Sequence, residues 1–425
     1  MNQLLIRLTK NNNEHSYKNA FFIFVVFFLC IGATIIEVTN LEKRTIALNT
    51  IFNFGATLVS TFISVYLYVY TKSLPMMCLY IIVRIGLFPV FFALGNLLSK
   101  KHSFTLTYIL GLCLITTALI FALLAGPLFE QNPYYVLVAA AIVGSGEGFY
   151  YFSANTCNQI VSSQETRGIF FSYNGIFNNI TSLFAPVYAT FVLSLNSDEM
   201  LGYRRILMTI IVVFIIVIII AFSINKKSED QDSSLLKALF SKDKVWNDHN
   251  KAVFIYGLRN GLELNTINLL IYNASKSGTT YSKLNILFSV ITIVTFRVIV
   301  RFLDRDSMNI TFKVGVILKV VSTLILIFIP NMVGAIIFGV LNAFSLVLYD
   351  NNYNIISANI IGRYRDEMTS RVVARETYLS FGRCLAMGFV ILCYVLLPES
   401  IYLQVSVFVL TLTPIFVERI FSKYE

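Results

Sequence analysis

Charged residues are scarce in this 425-residue chain: they make up 13%, against roughly 25% in soluble domains, while 56% is hydrophobic and the mean hydropathy is +0.72. So few charges cannot coat a closed, water-facing surface, and a soluble globular enzyme is excluded. Histidine is nearly missing. His15, His102 and His249 all lie in polar segments, so neither a zinc site nor a histidine general base assembles at membrane depth. Six cysteines (Cys30, Cys78, Cys113, Cys157, Cys384 and Cys393) fall inside apolar runs without C-x-x-C spacing and read as small buried hydrophobes. No G-x-x-x-x-G-K-[ST] loop is present, which argues against direct use of ATP. The one tryptophan, Trp246, sits in a polar connection and anchors nothing at membrane depth. The formal charge of +10 is spread over short connections and builds no continuous basic face, so a nucleic-acid partner is not expected. Neither enzymatic activity nor a cofactor or metal is expected.

What is abundant is apolar length. Runs near 20 residues, enough to cross hydrocarbon as a helix, stand at about 20–40, 45–70, 76–98, 103–125, 133–158, 168–195 and 203–224, and again at 252–273, 281–303, 312–329, 333–358, 375–397 and 402–421. Between the two sets lies a hydrophilic connection. The pattern predicts an all-α polytopic membrane protein: an N-terminal arm and accessory apolar helix over 1–44, a six-helix bundle over 45–224, a linker over 225–251 and a second six-helix bundle over 252–425. Lys226, Lys227, Lys237, Lys242, Lys244 and Lys251 mark the linker as cytoplasmic, and alternation then brings Lys100, Lys101, Arg167, Arg305 and Arg363 to Arg375 to the same side. The expected location is the plasma membrane, multi-pass, with linker and C-terminus inside. Lys72, Lys276, Arg204 and Arg205 are exceptions, and Lys43 and Arg44 inside would put Arg7, Lys10 and Lys18 outside if 20–40 spans, so that run either spans or lies at the interface.

Sliding one half over the other finds faint self-similarity about two hundred residues apart. Gly95-Asn96-Leu97-Leu98-Ser99-Lys100-Lys101 overlays Val300 to Asp306, Asn155 overlays Asn351-Asn352, and Arg167 overlays the neighbourhood of Arg371. On these residues the chain resembles the major facilitator superfamily over about 45–421. That family's Gly-x-Leu-x-Asp-Arg-x-Gly-Arg loop is reduced here to Gly95-x-Leu97-x-Ser99-Lys100, without the acid, and Asp304-Arg305 keeps the acid–base pair without the glycine. Gly144 to Phe149 with Asn155 and Gln164 to Gly168 is similar to the fourth helix and following loop of bacterial facilitators. Ala374-Arg375-Glu376 through Gly382-Arg383 is similar to the eleventh helix of a poorly characterised bacterial branch. The resemblance implies two six-helix bundles related by a pseudo-twofold axis, rocking about a central site and usually driven by an ion or substrate gradient.

A charge at the bilayer centre costs about 2.5–3.5 kcal/mol, so the few present must face protein or water. Glu147, between Gly146 and Gly148, is either a carboxyl poised for proton coupling or half of a permanent pair with Arg84. Arg259 and Glu263, four apart, pair along one helix face, and with Asn260, Asn265 and Asn268 they make that helix a candidate cavity wall or a polar packing seam. Asn49 and Asn53 put similar polarity on the corresponding helix of the first half, favouring a shared cavity. Asp350, followed by Asn351, Asn352 and Asn354, joins Asn155 as a candidate substrate or coupling position. Arg297, Asp304, Arg305, Arg375, Glu376 and Arg383 are candidate gate residues or a lattice of end-of-helix salt bridges. Arg84, Arg259, Arg297, Lys319 and Arg383 outnumber Glu147, Glu263 and Asp350, which favours an anionic or zwitterionic cargo, unless Arg297 or Lys319 snorkels to the interface. Three functions remain open: a secondary transporter of a small, anionic or amphipathic solute with a proton as possible partner, a lipid or glycolipid flippase, and a membrane sensor or assembly factor that does not transport.

Overall fold

The computed structural model describes residues 38–71, 74–124, 132, 134–194, 199–224, 234–264, 266–275, 278–299, 305–398 and 401–424. Apart from its last three residues, the expected accessory run at 20–40 lies outside the described residues, as do Asp304 and Asn265. In chain order the helices are α1 (Asn40–Thr71), α2 (Leu74–Gly86), α3 (Phe88–Ser99), α4 (Phe104–Leu124), α5 (Tyr135–Val161), α6 (Arg167–Ser194) and α7 (Glu199–Ile224). After the short α8 (Leu235–Leu239) follow α9 (Lys244–Leu264), α10 (Thr266–Ser275), α11 (Gly278–Ile299), α12 (Arg305–Phe328), α13 (Met332–Ser345), a π-helical turn Leu346–Asp350 and α14 (Asn351–Gly362). A 3-10 turn (Arg365–Glu367) then leads into α15 (Met368–Leu396), α16 (Tyr402–Val409) and α17 (Thr413–Phe421). No strand occurs among the described residues.

Local chemistry sets the helix starts. Thr39 and Glu42 form a reciprocal capping box: Glu42 N–H donates to Thr39 Oγ1 (3.2 Å) and Thr39 N–H to Glu42 Oε2 (2.7 Å), so α1 begins five residues before the apolar run expected at 45. Ser163 and Thr166 exchange equivalent bonds (3.1 Å each) just before α6. The Thr166 hydroxyl donates to Glu42 Oε1, tying the two helix starts together. Asp243 caps α9 by accepting from Val245 N–H at 2.8 Å. That helix therefore starts inside the stretch expected to be linker. Trp246 and His249 are fully buried there, stacked with ring centroids 4.7 Å apart, instead of lying in a polar loop. Cys113 is exposed, unlike the buried Cys78, Cys157 and Cys393. Pro89, in the first turn of α3, breaks one crossing segment into α2 and α3.

Helices α1 to α7 pack chiefly among themselves: α1 on α6 and α7, α5 on α4, α2 and α3. The later helices do likewise, α9 on α15 and α17, and α12 on α13 and the π turn. Between the two sets, α15 rests on α2 and α3 while α11 and α14 rest on α6, so the cross-contacts repeat in two-fold fashion. Seven helical stretches among the described residues are long and apolar enough to cross a membrane, from Pro75–Ser99 to Tyr402–Phe421. Large apolar side chains such as Val294, Val298, Ile310, Ile317, Phe328 and Leu396 remain exposed on their outer faces. This is an all-α, multi-pass membrane protein. The end of the bundle that holds α8, the α3–α4 turn and the starts of α6 and α15 is called the linker end below.

Candidate substrate cavity and buried ion pairs

A cavity of about 350 Å³ lies between the two sets of helices. Nine of its lining side chains are asparagines, spaced three or four residues apart so that each pair shares a helix face: Asn49 and Asn53 on α1, Asn155 and Asn158 on α5, Asn174 and Asn178 on α6, Asn351 and Asn354 on α14, with Asn179 beside them. Asp350, Arg375, Gln159, Tyr150, Tyr151 and Phe296 complete the polar and aromatic wall. Some amides are spent on packing. Asn49 Nδ2 donates to Asn158 Oδ1 (3.0 Å) and Asn53 Nδ2 to Thr181 Oγ1 (2.8 Å). Others are unspent: Oδ1 of Asn174 and of Asn178 and Oε1 of Gln159 are buried without a hydrogen-bond partner.

Behind the cavity wall the buried charges are compensated. Arg84 and Glu147 form a bidentate pair, Nε to Oε2 at 2.6 Å and Nη2 to Oε1 at 2.5 Å. The glycines beside Glu147 allow this. A Cβ on Gly144 would stand 2.2 Å from Arg84 O, and one on Gly146 would meet Gly111 O at 2.7 Å, so α5 is wedged between α2 and α4 at backbone contact. On the other side, Lys319 Nζ bridges Glu263 Oε1 (2.7 Å) and Asp350 Oδ2 (3.0 Å). Arg259 reaches Glu263 (3.2 Å) and Thr323 (2.7 Å), and Tyr256 Oη donates to Asp350 Oδ1 (3.0 Å). The π-helical turn presents Asp350 both to Lys319 and to the cavity. Arg383 joins Glu376 (3.1 Å) and Asn260 (2.8 Å). Two cations thus face two acids around Lys319, and Arg84 and Arg383 each have one acid. The cationic excess counted from the sequence disappears for this set, because Arg297 is exposed on the last turn of α11 and Glu376 supplies a fourth acid.

Below the cavity, at the linker end, a clasp of amides, hydroxyls and one arginine joins the two sets of helices. Asn96 Oδ1 accepts from Thr369 Oγ1 (2.7 Å), and its Nδ2 donates to Ser370 Oγ (3.2 Å). Opposite, Arg167 Nη1 donates to Asn359 Oδ1 (2.9 Å) and Nη2 to Ser162 O (3.0 Å), its guanidinium beside Gly362 at the end of α14. Asn351 Nδ2 also crosses, to Ser172 Oγ (3.3 Å).

The family model described as Major Facilitator Superfamily matches residues 128–387. The chain belongs to the major facilitator superfamily. Over 366 residues it is 22% identical to the uncharacterized protein YqgE of Bacillus subtilis (strain 168), covering 85% of this chain and 84% of that one. Its fold is similar to a bacterial homologue of the iron transporter ferroportin in an outward-facing state (TM-score 0.69, 13% identity, 91% of this chain and 99% of that). It is also similar to the proton:xylose symporter XylE (TM-score 0.68, 9% identity, 90% and 95%) and to the fucose:proton symporter of E. coli (TM-score 0.62, 14% identity, 89% and 98%). As a facilitator the protein is a membrane transporter.

Of the positions singled out in the sequence, Asp350, Asn155 and Arg375 line this facilitator's cavity, as do Asn49, Asn53, Asn351 and Asn354. Glu147, Arg84, Arg259 and Glu263 do not line it, being held in the pairs above. Asn352 also points elsewhere, donating to Thr311 Oγ1 at 2.9 Å. Among the expected gate residues, Glu376 and Arg383 pair with each other inside one helix, Arg305 opens α12, and Asp304 lies outside the described residues. The clasp instead uses Asn96, Thr369, Ser370, Arg167 and Asn359. Sequence reasoning missed Asn158, Gln159, Asn174, Asn178 and Asn179, although amides three or four apart on an otherwise apolar helix are a readable signal.

Proposed function

We propose that this facilitator is a secondary transporter that carries a small polar solute through the amide-lined cavity by alternating access, the segments before and after the 225–251 connection rocking as two bodies. The observation that carries this reading is the cavity itself: four amide-bearing helices from both sets converge on it, and the clasp of Asn96 and Arg167 closes one end. With the basic connections inside the cell, the closed end is cytoplasmic and the cavity belongs to an outward-facing state. A hydrophilic lining suits a hydrated solute better than a lipid acyl chain, and a protein that does not transport has no need of unspent buried amides.

Asp350 is the coupling carboxyl in this reading, since it alone among the acids described touches both the cavity and a buried cation. Glu147 is the structural partner of Arg84. In proteoliposomes, small polar solutes supplied with an imposed proton gradient should be accumulated by the wild-type protein. Asp350→Asn should lose gradient-driven uptake and keep solute exchange. Driven uptake unchanged in Asp350→Asn would remove it from the coupling role, and absence of flux for every solute would remove transport itself.

A further inference from the structure

Resting on the reading of the cavity as the solute site, we infer that its solute is a small monoanion, a carboxylate bearing several hydroxyl or amide groups, with Arg375 as the residue that holds the carboxylate. Charge accounting leads there. Every acid near the cavity is already answered: both oxygens of Asp350 are engaged, by Tyr256 and Lys319, and Glu263 is shared by Lys319 and Arg259. Arg84 and Arg383 are each neutralised by their own glutamate. Arg375 lines the cavity, yet among the described residues it has neither an ion pair nor a hydrogen bond, and its Nε is buried without a partner. Its neighbour Glu376 is taken by Arg383 at 3.1 Å.

Arg375 is half-buried, with its Nε out of water and without an acceptor, and a bidentate carboxylate is the partner that matches a guanidinium fork facing a cavity. The rest of the wall sets the rest of the solute. Asn174, Asn178 and Gln159 offer unspent amide ends, which exchange hydrogen bonds with hydroxyl or amide groups, and no second unpaired cation faces them among the described residues. One positive charge and a ring of neutral amides fit a hydroxylated monocarboxylate. A dianion would leave a charge unmet, and a cation would face Arg375. A cavity of about 350 Å³ limits the solute to a small molecule.

The test is a thermal-shift and calorimetric binding series on the purified full chain in detergent. The probes are hydroxylated and amide-bearing monocarboxylates of about four to seven carbons, gluconate among them, each measured beside its neutral alcohol or amide counterpart. At least one acid should bind, its neutral counterpart at least tenfold more weakly. Arg375→Gln should abolish the preference for the acid without lowering the unliganded melting temperature, and Arg375→Lys should restore part of that preference. Equal binding of acid and counterpart, binding that survives Arg375→Gln, or no binding by any acid in the series would overturn the inference. Because binding is read without flux, it fails separately from the transport reading: flux of a neutral solute without acid binding sinks only the anion assignment, and Arg375-dependent binding without flux sinks only transport.

Discussion

Glu147 shows how one side chain changes meaning once its neighbour is known. Between two glycines in an apolar helix it invites a titrating role, but both carboxylate oxygens are taken by Arg84 at 2.5 and 2.6 Å, away from the cavity. Removing one partner of a fully buried pair costs about 3–5 kcal/mol, an upper bound here because Arg84 is 28% exposed, whereas replacing both with apolar groups of similar size is near neutral. Glu147→Gln should therefore lower the melting temperature in detergent markedly, and Arg84→Met with Glu147→Leu should recover most of it. A stable Glu147→Gln protein that has lost only driven uptake would return Glu147 to the coupling role. Arg167 and Arg371 carry the complementary lesson. They overlay in the repeat, yet Arg167 reaches across to Asn359 while Arg371 bonds Glu367 at 2.7 Å and lies over the rings of Tyr364 (3.7 Å) and Trp246 (4.6 Å).

At the scale of the element, close approach is concentrated on α5. Gly144→Ala would drive a methyl group into the backbone of α2, an overpacking that costs about 1–3 kcal/mol. Gly388→Ala on α15, where a Cβ meets nothing within 4 Å, should leave stability unchanged. Comparing the two melting temperatures checks the packing at the point where it is tightest. The start of α9 makes a second case. Burial, with Arg375 and Arg371 nearby, holds the His249 imidazole at about 3, well below its ordinary 6.5. The Tyr364 and Tyr424 hydroxyls hold the carboxyls of Asp243 and Asp248 below 3.8. All three are depressed, so an unfolded chain takes up protons that the docked segment refuses, and docking loses stability as pH falls. The histidine acts between pH 6.5 and 3, the aspartates below about 4. Trp246, the only tryptophan, reports it: the midpoint of urea-induced loss of its buried fluorescence should fall steadily below pH 6.5. His249→Gln should flatten that dependence down to about pH 4, and an unchanged slope would assign it elsewhere.

For the whole molecule, the proposed rocking requires the clasp, made mostly of neutral groups, to open. Hydrogen bonds such as those from Thr369 to Asn96 and from Asn96 to Ser370 contribute about 0.5–1.5 kcal/mol each, small enough for such an opening. In a background without native cysteines, Asn96→Cys with Ser370→Cys should cross-link under oxidation, stop flux, and regain it on reduction. Flux that persists in the cross-linked protein would show that these helices do not separate during transport. Asn96→Ala with Arg167→Ala should loosen the same end, so that a cysteine replacing Asn174 labels faster with a reagent applied from the linker side.

Apolar runs spaced along the chain were enough to indicate a polytopic helical membrane protein, because length and hydrophobicity alone decide what crosses hydrocarbon, and the family resemblance carried the facilitator architecture. The amides at 49 and 53 already pointed to a cavity, though the helix of Arg259 and Asn260 expected to share it does not line it, and Asp350 was already a candidate coupling position. The Arg259–Glu263 pair was legible from its spacing and Arg84–Glu147 was one of two readings, but the surroundings of Lys319 and Arg375 could not be read, since they depend on residues tens to hundreds of positions away. The structure matches Lys319 with Glu263 and Asp350, joins the two sets of helices through Asn96 and Arg167, and leaves Arg375 facing the cavity. Periodicity along a helix determines which face is polar. Only the packing of one helix on another decides whether that face meets a partner, a lipid or a solute.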